Sequence, residues 1–288
     1  MRVPFSAGFL ALILCVAAHA ASTTVAAVNM PAWIEHEGRT SPLIPGLALA
    51  SSDVIRTGNG ARVLLKLPEG SQIKLGENAV FRMDNLNDAD GTHGPFTAVV
   101  DVLKGAFRFT TGLLAKPRQR DVLIHVSTVT AGIRGTDVWG KSDDERDLVC
   151  LLEGKIAVSH KGEQGSQTMS EPLSFFVAPK GKAALPIDKV DADRVKNEWS
   201  PQTEPQAGQG LAQEKGRWKL TVASADQQAD ALKWFDTLAQ AGYAAHIRPD
   251  GAGKFHVRVE GLASKADAVA LGARLKAEVN APEAAVGR

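Results

Sequence analysis

Apolar and polar residues alternate with a period of two through most of the first two thirds of this chain. In "ARVLLKLPEGSQIKLG" (61–76) the apolar set is Val63, Leu65 and Leu67, then Ile73 and Leu75 after a turn at Pro68-Glu69-Gly70. "FTAVVDVLKGAFRFTTG" (96–112) repeats the pattern, with a turn predicted at Lys104-Gly105. "DVLIHVSTVTAGIRGTDVWG" (121–140) and "RDLVCLLEGKIAVSHKGE" (146–163) continue it. Such alternation, broken by glycines at short intervals, predicts β-strands with one buried face. No helical period of useful length intervenes. The expectation for 25–186 is an all-β domain of short strands, stacked or rolled.

The pattern then changes twice. Residues 187–214 are polar and rich in Pro, Gly and Gln, the composition of a flexible linker; "IDKVDADRVKNEWS" allows one short helix. From 215 the texture is mixed. "RWKLTVAS" (217–224) alternates as a strand. Ser224 and Gln227 are spaced as a capping box opening a helix that stops at Gly242, with Ala231, Leu232, Phe235, Leu238 and Ala239 on one face. "YAAHIRPDG" and "GKFHVRVEG" are two strands around a turn. Ser264 and Asp267 cap a second helix that turns Ala268, Leu271, Leu275 and Val279 inward, and the last residues supply a fourth strand. The order β-α-β-β-α-β over 215–288 predicts a small α+β domain of the split βαβ kind.

Composition changes this picture little: 44% hydrophobic and 23% charged residues suit globular domains, and the net charge of +1 argues against nucleic acid as a partner. The first 20 residues stand apart. Arg2 precedes the apolar run "FLALILCVAA" and the small-residue site Ala18-His19-Ala20, the layout of a secretory signal peptide. The run is too short to span a bilayer, so a soluble, periplasmic mature chain is expected, with no stable membrane insertion. Cys15 leaves with the signal. Cys150, set in "LVCLLEG", is then alone and is read as a buried, inert thiol.

The chain offers no catalytic spacing. H-E-x-x-H, C-x-x-C and G-x-S-x-G are absent, and the histidines after the signal are scattered. "NDADGTHG" (87–94) has calcium-loop offsets, but Leu86 and Thr97 stand at the first and last ligand positions, so it is read as a solvated turn. "DDERD" (143–147) is read as a hairpin tip. "TAGIRGTDVW" (130–139) has the glycines of a phosphate cradle, yet it runs on as strand rather than entering a helix N-terminus. It is read as a corner in the sheet, with Arg134 and Asp137 in structural roles. The expectation is a non-enzymatic protein without metal or cofactor.

Five elements keep a familiar order: "SDVIRTG" (52–58), the 61–76 hairpin, "LKGAFRF", "TAGIRGTDVWG" and "LLEGKIAV". Together they resemble the FecR domain across about 30–180, with Ser52 where that family often has Gly. The resemblance implies an extracytoplasmic all-β fold that engages a protein partner, here unidentified. Some members relay signals from outer-membrane transporters to sigma factors, through a cytoplasmic segment and a membrane span not read here.

The C-terminal layout, with "RWKLTVAS" and "KFHVRVEGL", resembles the SPOR domain, although Thr221 and Ala223 replace the Gln and Gly common in its first strand. That resemblance implies binding of peptidoglycan glycan strands stripped of stem peptides, on the sheet face away from the helices. Alternation puts Leu220, Val222, Val257 and Val259 under the helices and leaves Lys219, Thr221, His256 and Arg258 on the open face. Those four are the candidate glycan-binding residues. Trp218 and Trp234 are expected at the core edge. The sequence thus reads as a wall-tethered β scaffold, concentrated at the division septum by its C-terminal domain, with periplasmic signalling through the FecR-like domain as the alternative. An RNA-binding split βαβ domain is set aside on export and charge.

Overall fold

The computed structural model describes residues 22–87, 96–112, 120–133 and 135–288. The expected signal peptide, most of the 87–94 loop and Arg134 lie outside the described residues. The strands run β1 (Thr24–Asn29), β2 (Ala32–His36), β3 (Arg39–Pro42), β4 (Val54–Thr57), β5 (Arg62–Lys66), β6 (Gln72–Leu75), β7 (Val80–Asn87), β8 (Phe96–Thr110), β9 (Arg120–Val126) and β10 (Val129–Ile133). They continue with β11 (Asp137–Ser142), β12 (Arg146–Glu153), β13 (Ile156–His160), β14 (Gln167–Met169), β15 (Ser174–Pro179) and β16 (Asp188–Lys189). A helical passage follows: α1 (Ala192–Arg194), a π turn (Val195–Trp199) and a 3-10 turn (Ser200–Gln202). Then come β17 (Leu211–Gln213), β18 (Trp218–Ala225), α2 (Gln228–Gln240), β19 (Ala245–Pro249), β20 (Phe255–Leu262), α3 (Lys265–Val279) and β21 (Ala285–Gly287).

The N-terminal domain is two sheets laid face to face, the stacked all-β arrangement the alternation predicts. The first sheet has the order β16-β15-β12-β11-β8-β6-β5-β1. The second has the order β14-β13-β10-β9-β8-β7-β4-β2-β3. Val63, Leu65, Ile73 and Leu75 of one face meet Phe81, Val100, Ile124 and Val158 of the other in one buried cluster.

β8 belongs to both sheets, which corrects the turn expected at Lys104-Gly105. The chain does not reverse there. One strand of 15 residues leaves the second sheet and enters the first. Gly105 makes the bend: its φ is +90, and a Cβ would stand 2.5 Å from the Ala79 Cα. "TAGIRGTDVW" makes a second crossing, from β10 in the second sheet to β11 in the first, through Gly135 at φ +76. The expected corner is therefore a change of sheet. Gly132, by contrast, sits inside β10, where an added Cβ meets only ordinary contacts at 3.8 Å.

Asp137 at that corner has the expected structural part. Its carboxylate takes two hydrogen bonds from Arg108, at 2.9 and 2.7 Å. Ser52 has φ +73, so the glycine usual in the family would fit its backbone without strain. "DDERD" forms the expected tip between β11 and β12, and its last residue, Asp147, already lies inside β12. It is fully buried and joins the β11–β12 hairpin to the β9–β10 turn, accepting from Thr128 N at 3.0 Å, Thr128 Oγ1 at 2.5 Å, Ser142 Oγ at 2.7 Å and Lys180 Nζ at 2.6 Å. Cys150 is buried as expected, and burial pushes its thiol up to about 12.

The stretch 187–214 is not a flexible linker. Its first half is a strap across the outer face of the first sheet. Trp199 stacks on Trp139 with centroids 4.8 Å apart, and Val190, Val195, Leu148 and Cys150 complete a second small core. Apolar burial outweighs the polar composition here, because each large side chain contributes roughly 1.5–3 kcal/mol when covered. Its second half ends in a short strand: β17 pairs with β1 on one side and, through Ala212 and Leu262, with β20 on the other. The first sheet thereby runs on into the C-terminal sheet, whose order is β19-β20-β18-β21.

That C-terminal unit is the expected split βαβ domain, with two corrections. Ser224 lies in β18, and the first helix starts later, capped at Gln227 without a side-chain bond. Leu232 is 43% exposed, since the buried stripe runs through Ala231 and Leu238 with Phe235 half-buried. Ser264 does cap α3, accepting from Asp267 N. Trp218 and Trp234 are half-buried against the core, as expected.

Candidate functional site

The open face of the C-terminal sheet is built by alternation on three strands. Leu220, Val222, Val257 and Val259 are each 0% exposed, on the side where α2 and α3 pack. Lys219 and Thr221 on β18, with His256 and Arg258 on β20, point the other way and are half-buried. All four predicted residues therefore share one face. Thr221 lies directly opposite Arg258, and Arg258 Nε donates to Thr221 Oγ1 at 3.2 Å.

A bulge between Thr221 and Ala223 shifts the register by one. It buries Ala223 beside Val222 and returns Ser224 to the open face opposite His256. The imidazole is held at both nitrogens: Nδ1 lies 2.9 Å from Ser224 Oγ and Nε2 lies 3.1 Å from Asp250 Oδ2. His256 is thus a braced member of the face rather than an open donor.

Three residues of the same face were not singled out from sequence. Arg248 on β19 donates through Nε and Nη2 to the two carboxylate oxygens of Glu260, at 2.9 and 2.7 Å. This pairing holds the Glu260 carboxyl below the usual carboxylate range. His246 lies opposite Arg258 across β19 and β20. Extending the count 256, 258 by one step reaches Glu260, and alternation about Ile247 reaches His246 and Arg248, so the signal was present.

Charge on this face is internal at Arg248 and Glu260 and left over at two cations. Arg248 and Glu260 neutralise each other. Lys219 makes no ion pair among the described residues, and Arg258 spends only its Nε. Two cations on facing strands are left with donors to spare. Arg258 keeps both terminal nitrogens, the pair that grips a carboxylate in a two-point fashion. Among the described residues no group of three metal-ligating side chains gathers, here or elsewhere. No helix among them is long and apolar enough to cross a membrane.

Comparison with known families finds two matches. The family model described as FecR protein matches residues 53–157, and the model described as SPOR domain matches residues 214–286. Both are binding or regulatory domains typical of envelope proteins. No curated protein matches the chain. Two crystal structures of a proposed anti-sigma factor from Parabacteroides distasonis ATCC 8503 are similar in part. The one at 1.65 Å resolution shows 17% identity and a TM-score of 0.41, covering 50% of this chain and 62% of that one. The one at 2.50 Å shows 15% identity and a TM-score of 0.40, covering 78% and 91%. At that distance the likeness carries no functional argument.

Proposed function

Because the chain carries a FecR domain ahead of a SPOR domain, we propose that it is a non-enzymatic periplasmic protein that binds peptidoglycan through Lys219, Thr221, His256 and Arg258. One observation carries this reading: Arg258 is fixed by Thr221 yet keeps its terminal nitrogens uncommitted, with Lys219 beside the same strand pair. Glycan strands without stem peptides expose the lactyl carboxylates of their muramic acid residues. A preorganised guanidinium binds such a group without the cost of ordering it first. Enrichment of bare strands at division sites would then place the protein at the septum.

The expected outcome is that amidase-treated sacculi retain the wild-type chain. Arg258→Ala combined with Lys219→Ala cuts retention about tenfold or more, in line with the loss of a charge-assisted contact. Retention unchanged in the double variant, or equal on untreated sacculi, rejects the reading.

The FecR match over 53–157 favours a second role beside the first, in which the β domain docks a signalling partner. Deleting the gene then alters a sigma-factor-dependent transcript set. An unchanged transcriptome under envelope stress counts against it.

A further inference from the structure

Beside the glycan face lies a half-open cleft of about 200 Å³ that neither domain forms alone. One wall comes from the loop after β3 in the β domain, where Ile44 and Pro45 overhang. The other walls are Ala244, His246, Glu260 and Glu214 from the C-terminal side. His246 is the residue opposite Arg258, so the cleft begins one strand away from the proposed carboxylate contact.

The loop is held in place. Leu43 N donates to Ala32 O at 2.9 Å, and Gly46 N donates to Val25 O at 2.7 Å. Ile44 nonetheless stays 40% exposed, an apolar side chain at the rim of the cleft. Glu214 and His246 line the same cleft, and their side chains make no hydrogen bond among the described residues. Glu260 is oriented by Arg248 and keeps acceptor capacity. The cleft thus brings together an apolar wall, carboxylate acceptors and an imidazole.

We infer that this cleft receives the 2-acetamido group of a sugar in the bound strand, and that the β domain thereby takes part in glycan recognition. The acetamido methyl packs against Ile44, Pro45 and Ala244. Its N–H donates to the Glu214 carboxylate, and its carbonyl accepts from the His246 imidazole. An amide is the group that needs an apolar contact, an acceptor and a donor together. A plain hydroxyl at the same sugar carbon would leave the apolar wall empty and one polar partner unmet. The inference rests on the wall-binding reading, and the following experiment separates the two.

Tri-N-acetylchitotriose and cellotriose are neutral β-1,4-linked trioses that differ at C2, acetamido in one and hydroxyl in the other. Titrated into the full chain, the acetylated triose binds about tenfold or more tightly than cellotriose. Ala244→Leu fills the cleft and Ile44→Ser removes its apolar wall. Each erases most of that preference while the thermal melt shows a folded protein. Equal binding of the two trioses, no measurable binding of the acetylated one, or a preference unchanged in both variants overturns the inference. Denuded strands titrated in parallel tell the failures apart. If strands bind and the trioses do not differ, the acetamido assignment falls alone; if the wild type ignores the strands, both readings fall.

Discussion

Asp147 shows how one residue type takes its meaning from where the fold puts it. Burial alone raises a carboxyl's pKa, but hydrogen bonds from Lys180, Thr128 and Ser142 outweigh it here and leave Asp147 below the ordinary carboxylate value. A depressed folded pKa stabilises the protein above the unfolded value, near 3.9, and that contribution fades as pH falls through the folded value. Asp147→Asn keeps the shape and removes the charge. It lowers stability by about 2 kcal/mol at pH 7, since hydrogen bonds to a charged acceptor are the strong ones. The gap between variant and wild type narrows below about pH 4. Urea unfolding of both proteins at pH 7 and pH 3 checks this; equal midpoints at pH 7 would refute the role. Nothing in "DDERD" separates Asp147 from Asp143, which sits half-buried at the tip and accepts from Glu145 N and Arg146 N. Besides Ser142 across the hairpin, the partners that distinguish them are Thr128 and Lys180, far away in sequence.

At the scale of elements, alternation revealed most of the strands and hid how they are shared. Period two specifies which residues face inward. It does not specify to which sheet a strand belongs, because both sheets of a sandwich bury one face each. So "FTAVVDVLKGAFRFTTG" looks like a hairpin around Gly105, whereas the glycine bends a single strand between layers. The strap was misjudged for a related reason. Residues 187–203 hold few apolar side chains, but Val190, Val195 and Trp199 fall where Trp139 and Cys150 leave the outer face of the first sheet apolar. That face was legible only once β11 and β12 were paired. The open-face residues were readable in advance because β18 and β20 keep strict alternation from Lys219 to Thr221 and from His256 to Glu260. The bulge after Thr221, which aims Ser224 at His256, has no such signature.

The whole molecule departs from a tethered scaffold in its stiffness. β17 lies between β1 and β20, Arg274 Nη1 donates to Met30 O at 2.6 Å, and Trp33 Nε1 donates to Gln240 O at 3.2 Å. Asn29 holds the backbone of Gln206 through both ends of its amide. The hinge point is Asp267, fully buried at the first turn of α3, whose Oδ1 accepts from Gly208 N at 2.7 Å and Leu211 N at 2.9 Å. A flexible tether would raise only the local concentration of the β domain at the wall. A shared sheet also sets its orientation, and it brings the loop at Ile44 to the edge of the open face. Calorimetry of the wild type is accordingly expected to show one cooperative transition for both domains. Asp267→Ala strands two backbone donors, each costing about 1–3 kcal/mol, and frees 204–214. It is expected to lower the melting temperature, separate the transitions and open the chain to trypsin at Lys215, while retention on amidase-treated sacculi persists. The acetamido preference is lost with it, since that cleft needs both walls. Two separate transitions in the wild type would return the protein to the flexible-tether picture and leave the composite cleft without support.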